Sequence, residues 1–65
     1  MLSDELRERR RALRLTQGDL ADLAGVSERF VRSLETGKTT VQLDKVLAVL
    51  DALGLTLHAT VREPR

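Results

Sequence analysis

The chain of 65 residues contains no cysteine, which excludes disulfides and thiolate metal sites. It has one histidine, one phenylalanine and neither tyrosine nor tryptophan. No apolar run approaches the roughly 20 residues that a helix needs to span a bilayer, and the first residues lack the apolar core of a signal peptide. We therefore expect a soluble, cytoplasmic, single-domain protein that gains stability by forming an oligomer.

Reactive side chains are too few and too scattered for an enzyme. His58, the one histidine, has no cysteine or ligand-spaced acid near it in the sequence. Asp44 and Asp51 lie on one side of a predicted helix, but no pocket-sized core is expected around them. The glycines occur singly, so a glycine-rich phosphate loop is absent. We expect no catalytic residue, no metal and no cofactor.

Positive charge is unevenly distributed, although 11 Lys and Arg nearly balance 10 Asp and Glu. Arginines crowd the segment from Arg7 to Arg14, and further cations follow at Arg29, Arg32 and Lys38. A chain that is nearly neutral can still present one basic face, as a phosphate-binding surface requires. The arginine run taken alone is equally consistent with a solvated helix of mixed charge.

Apolar residues recur at steps of three and four in four segments, which predicts four helices. Capping residues and glycines set their bounds: Ser3 or Asp4 to about Arg14, Thr16 to Gly25, Ser27 to Gly37, and about Gln42 to Leu53. The inner-facing positions from this spacing are Leu2, Leu6, Arg10, Leu13, Leu20, Leu23, Ala24, Val31, Leu34, Leu43, Val46, Leu47, Leu50 and Leu53. The second and third helices, joined at Gly25, have the size of a helix-turn-helix unit, whose second helix enters the DNA major groove.

If the third helix enters the groove, its outward-facing residues contact bases. These candidates are Ser27, Glu28, Arg29, Phe30, Arg32 and Ser33. The predicted phosphate contacts, at the start of the second helix and after the third, are Thr16, Gln17, Lys38 and Thr39. Other roles stay open, because Phe30 is equally suited to the core, Ser27 to capping, and Arg32 to pairing with Glu28.

One residue on the inner face of the first helix is charged. Arg10 requires an anion there, and Glu35 is the acid that follows the apolar face of the third helix. We expect a partly buried Arg10–Glu35 salt bridge that sets the angle between these helices.

The C-terminal residues change period, because Leu55, Leu57, Ala59 and Val61 alternate with polar residues. This alternation predicts a β-strand, which by itself leaves its backbone donors and acceptors unpaired. Pairing with the same strand of a second copy, across a two-fold axis, satisfies them and makes a homodimer. Val49, which widens the apolar stripe of the fourth helix, joins the strand residues in the predicted interface.

The string RALRLTQGDLADLAGVSERFVRSLETGKTTVQLDKVLAVLDALGL resembles the Cro/C1-type (XRE) helix-turn-helix family over about Leu6 to Leu55. The resemblance implies a lambda-repressor-like fold and supports Gln17 and Lys38 as phosphate contacts, residues 27–33 as the base-reading segment, and the Arg10–Glu35 bridge. The strand after LDKVLAVLDALG is similar to HipB-type antitoxins, which dimerise through a two-stranded sheet, bind palindromic operators and neutralise a HipA-type kinase toxin. Gly18 and Arg9 depart from the common family pattern.

Together these features predict an all-α domain at residues 1–54 and a C-terminal dimerisation strand and tail at 55–65. We expect a sequence-specific repressor of the XRE family that binds double-stranded DNA on the nucleoid, as the antitoxin of a HipBA-like toxin–antitoxin system. The alternatives are a stand-alone repressor without a toxin and a protein-interaction module with little DNA binding.

Overall fold

The computed structural model describes residues 2–38 and 40–58. Over these residues the chain folds into four helices, which confirms the predicted all-α class: α1 Leu2–Ala12, α2 Gln17–Ala24, α3 Glu28–Glu35 and α4 Leu43–Ala52. Helix α2 packs against both α3 and α4, and α1 packs against α3. Since α2 and α3 each have 8 residues, too few for a stable isolated helix, tertiary packing has to stabilise them.

The starts of α2 and α3 confirm the predicted caps. The Thr16 hydroxyl accepts a hydrogen bond from the Asp19 N–H at 3.0 Å, and the Asp19 carboxylate accepts one from the Thr16 N–H at 2.9 Å. The Ser27 hydroxyl accepts from the Phe30 N–H at 3.0 Å. Ser3 is not an N-cap, because α1 already begins at Leu2.

Each of the four described helices ends in a left-handed residue. Gly25, Gly37 and Gly54 have φ values of 71°, 86° and 71°, as predicted, and Arg14 takes the same position after α1 with φ 59°. The Leu15 N–H donates to the Arg10 carbonyl at 3.1 Å, which completes a Schellman motif around Arg14. The first helix therefore ends at Ala12, two residues before its predicted end, because the left-handed backbone of Arg14 does not continue the helix.

The Arg14→Gly variant is expected to be more stable than the wild type. A side chain costs about 1–2 kcal/mol in the left-handed region, while the extra freedom of an unfolded glycine costs about 0.5–1 kcal/mol. The balance predicts a gain of about 0.5–1 kcal/mol, seen as a higher urea midpoint with an unchanged slope. A lower midpoint would show that the Arg14 side chain contributes more than its backbone strain costs.

Nine buried apolar side chains form one core: Leu6, Leu20, Ala21, Val31, Leu34, Val46, Val49, Leu50 and Leu53. Five of the leucines predicted to face inward are instead exposed: Leu2, Leu13, Leu23, Leu43 and Leu47. Helix α2 uses Leu20, Ala21 and Ala24, so its inner face is rotated away from Leu23. A short helix with apolar residues on two sides can turn either side toward the core, and packing against the other helices decides which side is buried.

Val49 is a correction to the predicted dimer interface. Its side chain is 1% exposed and lies in the core of the single chain, so it is not available to a second copy. The reason is that α4 turns Val46, Val49 and Leu50 inward, and leaves Leu43 and Leu47 outside.

The predicted C-terminal strand is not present over residues 55–58, and the rest of it, including Ala59 and Val61, lies outside the described residues. A strand is defined by hydrogen bonds to a neighbour, and a single copy offers this segment none. Leu55 packs against the core, whereas Leu57 is 53% exposed. The His58 ring is exposed, and its Nε2 lies 3.0 Å from the Thr56 hydroxyl.

Candidate nucleic-acid interface

Helix α3 presents three of its charged side chains to solvent. Glu28, Arg29 and Arg32 are exposed, while Ser33 is half-buried. The Ser27 hydroxyl is occupied by capping, which agrees with the alternative that its first role is structural. The helix thus offers two exposed cationic side chains, Arg29 and Arg32.

Glu28 and Arg32 form an ion pair one turn apart, as the alternative interpretation of Arg32 anticipated. Arg32 Nη2 lies 2.8 Å from Glu28 Oε2, and the two side chains are 59% and 53% exposed. An exposed pair at this spacing contributes only about 0.3–0.5 kcal/mol to stability. Because the ion pair adds little to the stability of the fold, its main effect is to fix the position of the Arg32 guanidinium.

Phe30 is both a core residue and part of the surface. It is half-buried and packs against the core cluster, and its remaining face lines a cleft between α3 and the segment that leads into α4. The two interpretations left open by the sequence are therefore compatible.

The cleft has a volume of about 250 Å³ and is rich in cations. Arg29, Lys38 and Lys45 all line it. The residues that line it are Ser27, Arg29, Phe30, Ser33, Lys38, Thr40, Val41, Gln42 and Lys45. Since none of these described residues is acidic, the cleft is suited to an anion such as a backbone phosphate.

Sequence reasoning missed three of these polar residues, namely Thr40, Gln42 and Lys45. One signal was available, because Lys45 lies in the first turn of a helix, where an acid rather than a cation favours the dipole. Gln42 precedes α4 but makes no side-chain capping hydrogen bond, so its amide is free to face the cleft. Thr39, predicted as a phosphate contact beside Lys38, lies outside the described residues.

Gln17 lies at the start of α2 as predicted, but its side chain is turned inward. Its amide nitrogen donates to Glu35 Oε1 at 3.2 Å, and the residue is half-buried. The predicted role of the side-chain amide as a phosphate clamp therefore competes with a structural hydrogen bond. Thr16 is exposed, with its hydroxyl used in the capping box.

The Arg10–Glu35 bridge is present and buried, which confirms the prediction. Arg10 Nε and Nη2 donate to the two carboxylate oxygens of Glu35 at 2.6 and 2.9 Å. Arg10 is 9% exposed and Glu35 4%. Arg10 Nη1 also donates to the Leu15 carbonyl at 2.9 Å, so the same side chain holds α1, the α1–α2 turn and α3 together.

Other arginines of the N-terminal run also hold helix ends rather than face a ligand. Arg7 Nη2 donates to the Glu35 carbonyl at 2.8 Å, at the end of α3. Arg9 Nε donates to the Leu53 carbonyl at 2.9 Å, at the end of α4. Cations at helix C-termini satisfy free carbonyls and favour the helix dipole. The departure of Arg9 from the family pattern has this contact as its physical explanation.

Acid is expected to destabilise the fold through Glu35. Burial raises the pKa of the Glu35 carboxyl, but hydrogen bonds from Arg10 and Gln17 outweigh it and hold the pKa below its ordinary value. A depressed pKa contributes stability that is present above about pH 4.3 and is lost as the pH falls through the folded-state pKa. Urea midpoints measured from pH 6 to pH 3 should therefore fall.

The Glu35→Gln variant is the control for this acid sensitivity. It should start from a lower midpoint at pH 6 and lose less on acidification, because the titrating carboxyl is gone. Equal losses in the wild type and the variant would contradict the role of Glu35.

Comparison with known sequences agrees with this geometry. Residues 1–63 match the helix-turn-helix domain family, so the chain belongs to that family. It is 48% identical over 48 residues to the uncharacterized HTH-type transcriptional regulator y4mF of Sinorhizobium fredii. That match covers 74% of this chain and 63% of the length of y4mF.

Within residues 2–38 and 40–58, no helix is long and apolar enough to cross a membrane. The same residues contain no group of three or more His, Asp or Glu side chains placed to hold a metal ion.

Proposed function

We propose that the chain is a sequence-specific DNA-binding regulator that uses α3 to contact base edges in the major groove. The observation that carries the proposal is the presence of exposed Arg29 and Arg32 on α3, next to a cleft that Arg29 lines together with Lys38 and Lys45. Arginine at a groove-facing helix donates bidentately to guanine, while lysines beside it neutralise phosphates. The helix-turn-helix family and the printed name of y4mF support the same class of function.

A titration of a fluorescent, sequence-randomised 20-base-pair duplex at several salt concentrations tests the proposal. Each neutralised phosphate contributes about −0.9 to the slope of log affinity against log salt. We expect a steeply salt-dependent affinity, and enrichment of a defined sequence when the bound fraction is recovered. A flat salt response without enrichment would favour the alternative of a protein-interaction module.

We propose further that the regulator is a homodimer on a palindromic operator, with half-sites roughly 34–36 Å apart. Support comes from apolar side chains that a single copy leaves uncovered, because Leu43, Leu47 and Leu57 are 61%, 45% and 53% exposed. Leu57 belongs to the alternating C-terminal segment, whose backbone gains hydrogen bonds when it pairs with a second copy.

Light scattering of the Leu57→Lys variant tests this dimer. The wild type should have the mass of two chains and the variant the mass of one, because the charge has to be buried in the pairing surface. The Leu23→Lys variant is the matched control, since Leu23 is 64% exposed but lies on α2, away from the C-terminal segment. A wild-type monomer, or a dimer that survives the Leu57 change, would contradict the assembly.

The physiological role that we propose is repression of its own operon as a HipB-like antitoxin. The resemblance of the region after α4 to HipB-type proteins supports it, and a stand-alone repressor is the alternative. If a kinase-like reading frame lies beside this gene, co-expression of the two proteins should abolish the toxicity of the kinase. The absence of a kinase-like reading frame next to the gene would favour the stand-alone repressor.

A further inference from the structure

The Glu28 carboxylate lies between α2 and α3 and has two neighbours. Its Oε2 accepts from Arg32 Nη2 at 2.8 Å. Its Oε1 occupies the space beside Gly18, only 2.8 Å from the point where a Cβ at residue 18 would lie. Gly18 is inside α2 with no left-handed backbone, so helix geometry does not require glycine there.

Glycine is a poor helix former, and at residue 18, in the first turn of α2, its lack of a side chain has a visible consequence. Any larger residue would take the space that the Glu28 carboxylate occupies. The carboxylate also lies beside the first turn of α2, where the helix dipole favours negative charge. Gly18 leaves room for the Glu28 carboxylate at this position, and the dipole of α2 favours its negative charge there.

We propose that Gly18 is a specificity-determining position of the DNA-reading surface, because it accommodates the Glu28 carboxylate that orients Arg32. The inference rests on the proposed function and deepens it. Glu28 is then a positioning residue, rather than the base contact that the sequence predicts.

The chemistry of the pair leaves Arg32 able to read a base. A guanidinium has five N–H donors, and the ion pair with Glu28 engages one of its nitrogens. The remaining donors suffice for the two bonds to guanine O6 and N7. Because an exposed arginine otherwise samples many rotamers, a carboxylate that restricts it lowers the entropy lost on binding.

The Gly18→Ala variant separates this role from a structural one. The added Cβ meets the far end of a flexible side chain and not backbone, so Glu28 has to move while α2 remains intact. Alanine also favours the helix, so the thermal midpoint should rise. The shift of Glu28 weakens its ion pair with Arg32, and discrimination at one base pair of each half-site should fall about twofold, the size of effect that an exposed pair can supply. The salt slope should stay unchanged.

The experiment recovers bound duplexes from a randomised 20-base-pair pool and measures affinities for the enriched sequence and its single-base variants. The wild type, Gly18→Ala, Glu28→Ala and the Gly18→Ala/Glu28→Ala double variant are compared. If Gly18 acts through Glu28, the alanine at residue 18 has no effect on base preference once Glu28 is removed.

Asp22→Ala is the matched control for helix propensity, because Asp22 is an exposed residue of the same helix. It should raise the thermal midpoint without changing the enriched sequence. The inference is overturned if Gly18→Ala enriches the wild-type sequence with the same discrimination, or if its effect persists in the Glu28→Ala background. A wild type that enriches no sequence would overturn the proposed function itself.

Discussion

Replacement of Arg10 by alanine is expected to remove most of the stability of the fold. The variant removes both donors that hold the buried Glu35 carboxylate, which then retains only the Gln17 amide among its side-chain partners. Removing one partner of a buried ion pair costs about 3–5 kcal/mol. Small domains lie near the lower end of the usual stability range of about 5–15 kcal/mol, so this loss removes most of it. Circular dichroism during urea titration measures the effect.

Two further variants show whether the loss of stability comes from the unpaired charge of Glu35 or from the loss of any arginine side chain of α1. Arg11→Ala changes an exposed arginine of the same helix and should shift stability by no more than about 0.5 kcal/mol. The Arg10→Met/Glu35→Leu double variant removes the unpaired charge and should be more stable than Arg10→Ala. An Arg10→Ala variant as stable as the wild type would show that the bridge does not hold α1 against α3.

Loss of the cleft lysines is expected to weaken DNA binding to all sequences alike. In the Lys38→Ala/Lys45→Ala variant, two cations that line the cleft with Arg29 are removed. If each contacts one phosphate, the slope of log affinity against log salt should become shallower by about 1.8. The enriched sequence should stay the same, because phosphate contacts carry no base information. Fluorescence anisotropy at three or more salt concentrations gives the slope.

Arg29→Ala is expected to behave differently, because it removes a base contact. Discrimination at one base pair should fall by about 1–3 kcal/mol, with a smaller change in the salt slope. Arg11→Ala again serves as the control, since Arg11 is exposed but does not line the cleft. If Arg11→Ala weakened DNA binding as much as the loss of the cleft lysines, the cleft would not be the phosphate site. Binding would then reflect only a general attraction between charges.

The parts of the fold predicted correctly are those with a local cause. The capping box of Thr16 and Asp19, the Ser27 cap and the left-handed glycines each depend on a few adjacent residues. The Arg10–Glu35 bridge also followed from one requirement, that a cation on an apolar face needs an anion. Local chemistry of this kind is visible in a single sequence.

The errors concern choices that only packing makes. Leu23, which was expected to face inward, is exposed, whereas Val49, which was expected in a dimer interface, is buried in the core. The reason is that each helix has apolar residues on more than one side. The arginine run was ambiguous between a ligand-binding and a solvated face, and two of its members, Arg7 and Arg9, donate to carbonyls of distant helices. Contacts that join residues far apart in sequence leave no periodic signal along the chain.

The candidate site was predicted in outline and extended by the structure. The sequence indicated α3 and Lys38, and the structure added Lys45 and Gln42 from the start of α4. It also showed that Glu28 lies against Gly18, a contact between neighbouring helices that no spacing rule predicts. The predicted C-terminal strand needs backbone hydrogen bonds from a partner strand, which a single copy does not supply. Whether it forms therefore depends on dimerisation.

The surface that meets DNA is tested most directly by amide chemical shifts of the labelled protein, recorded while the enriched duplex is added. The largest changes should fall on residues 27–33, 38 and 40–45, which include most of α3 and the lining of the cleft beside it. Changes confined to the exposed end of α1 around Arg11 and Arg14, or to α4 around Leu47, would contradict recognition by α3.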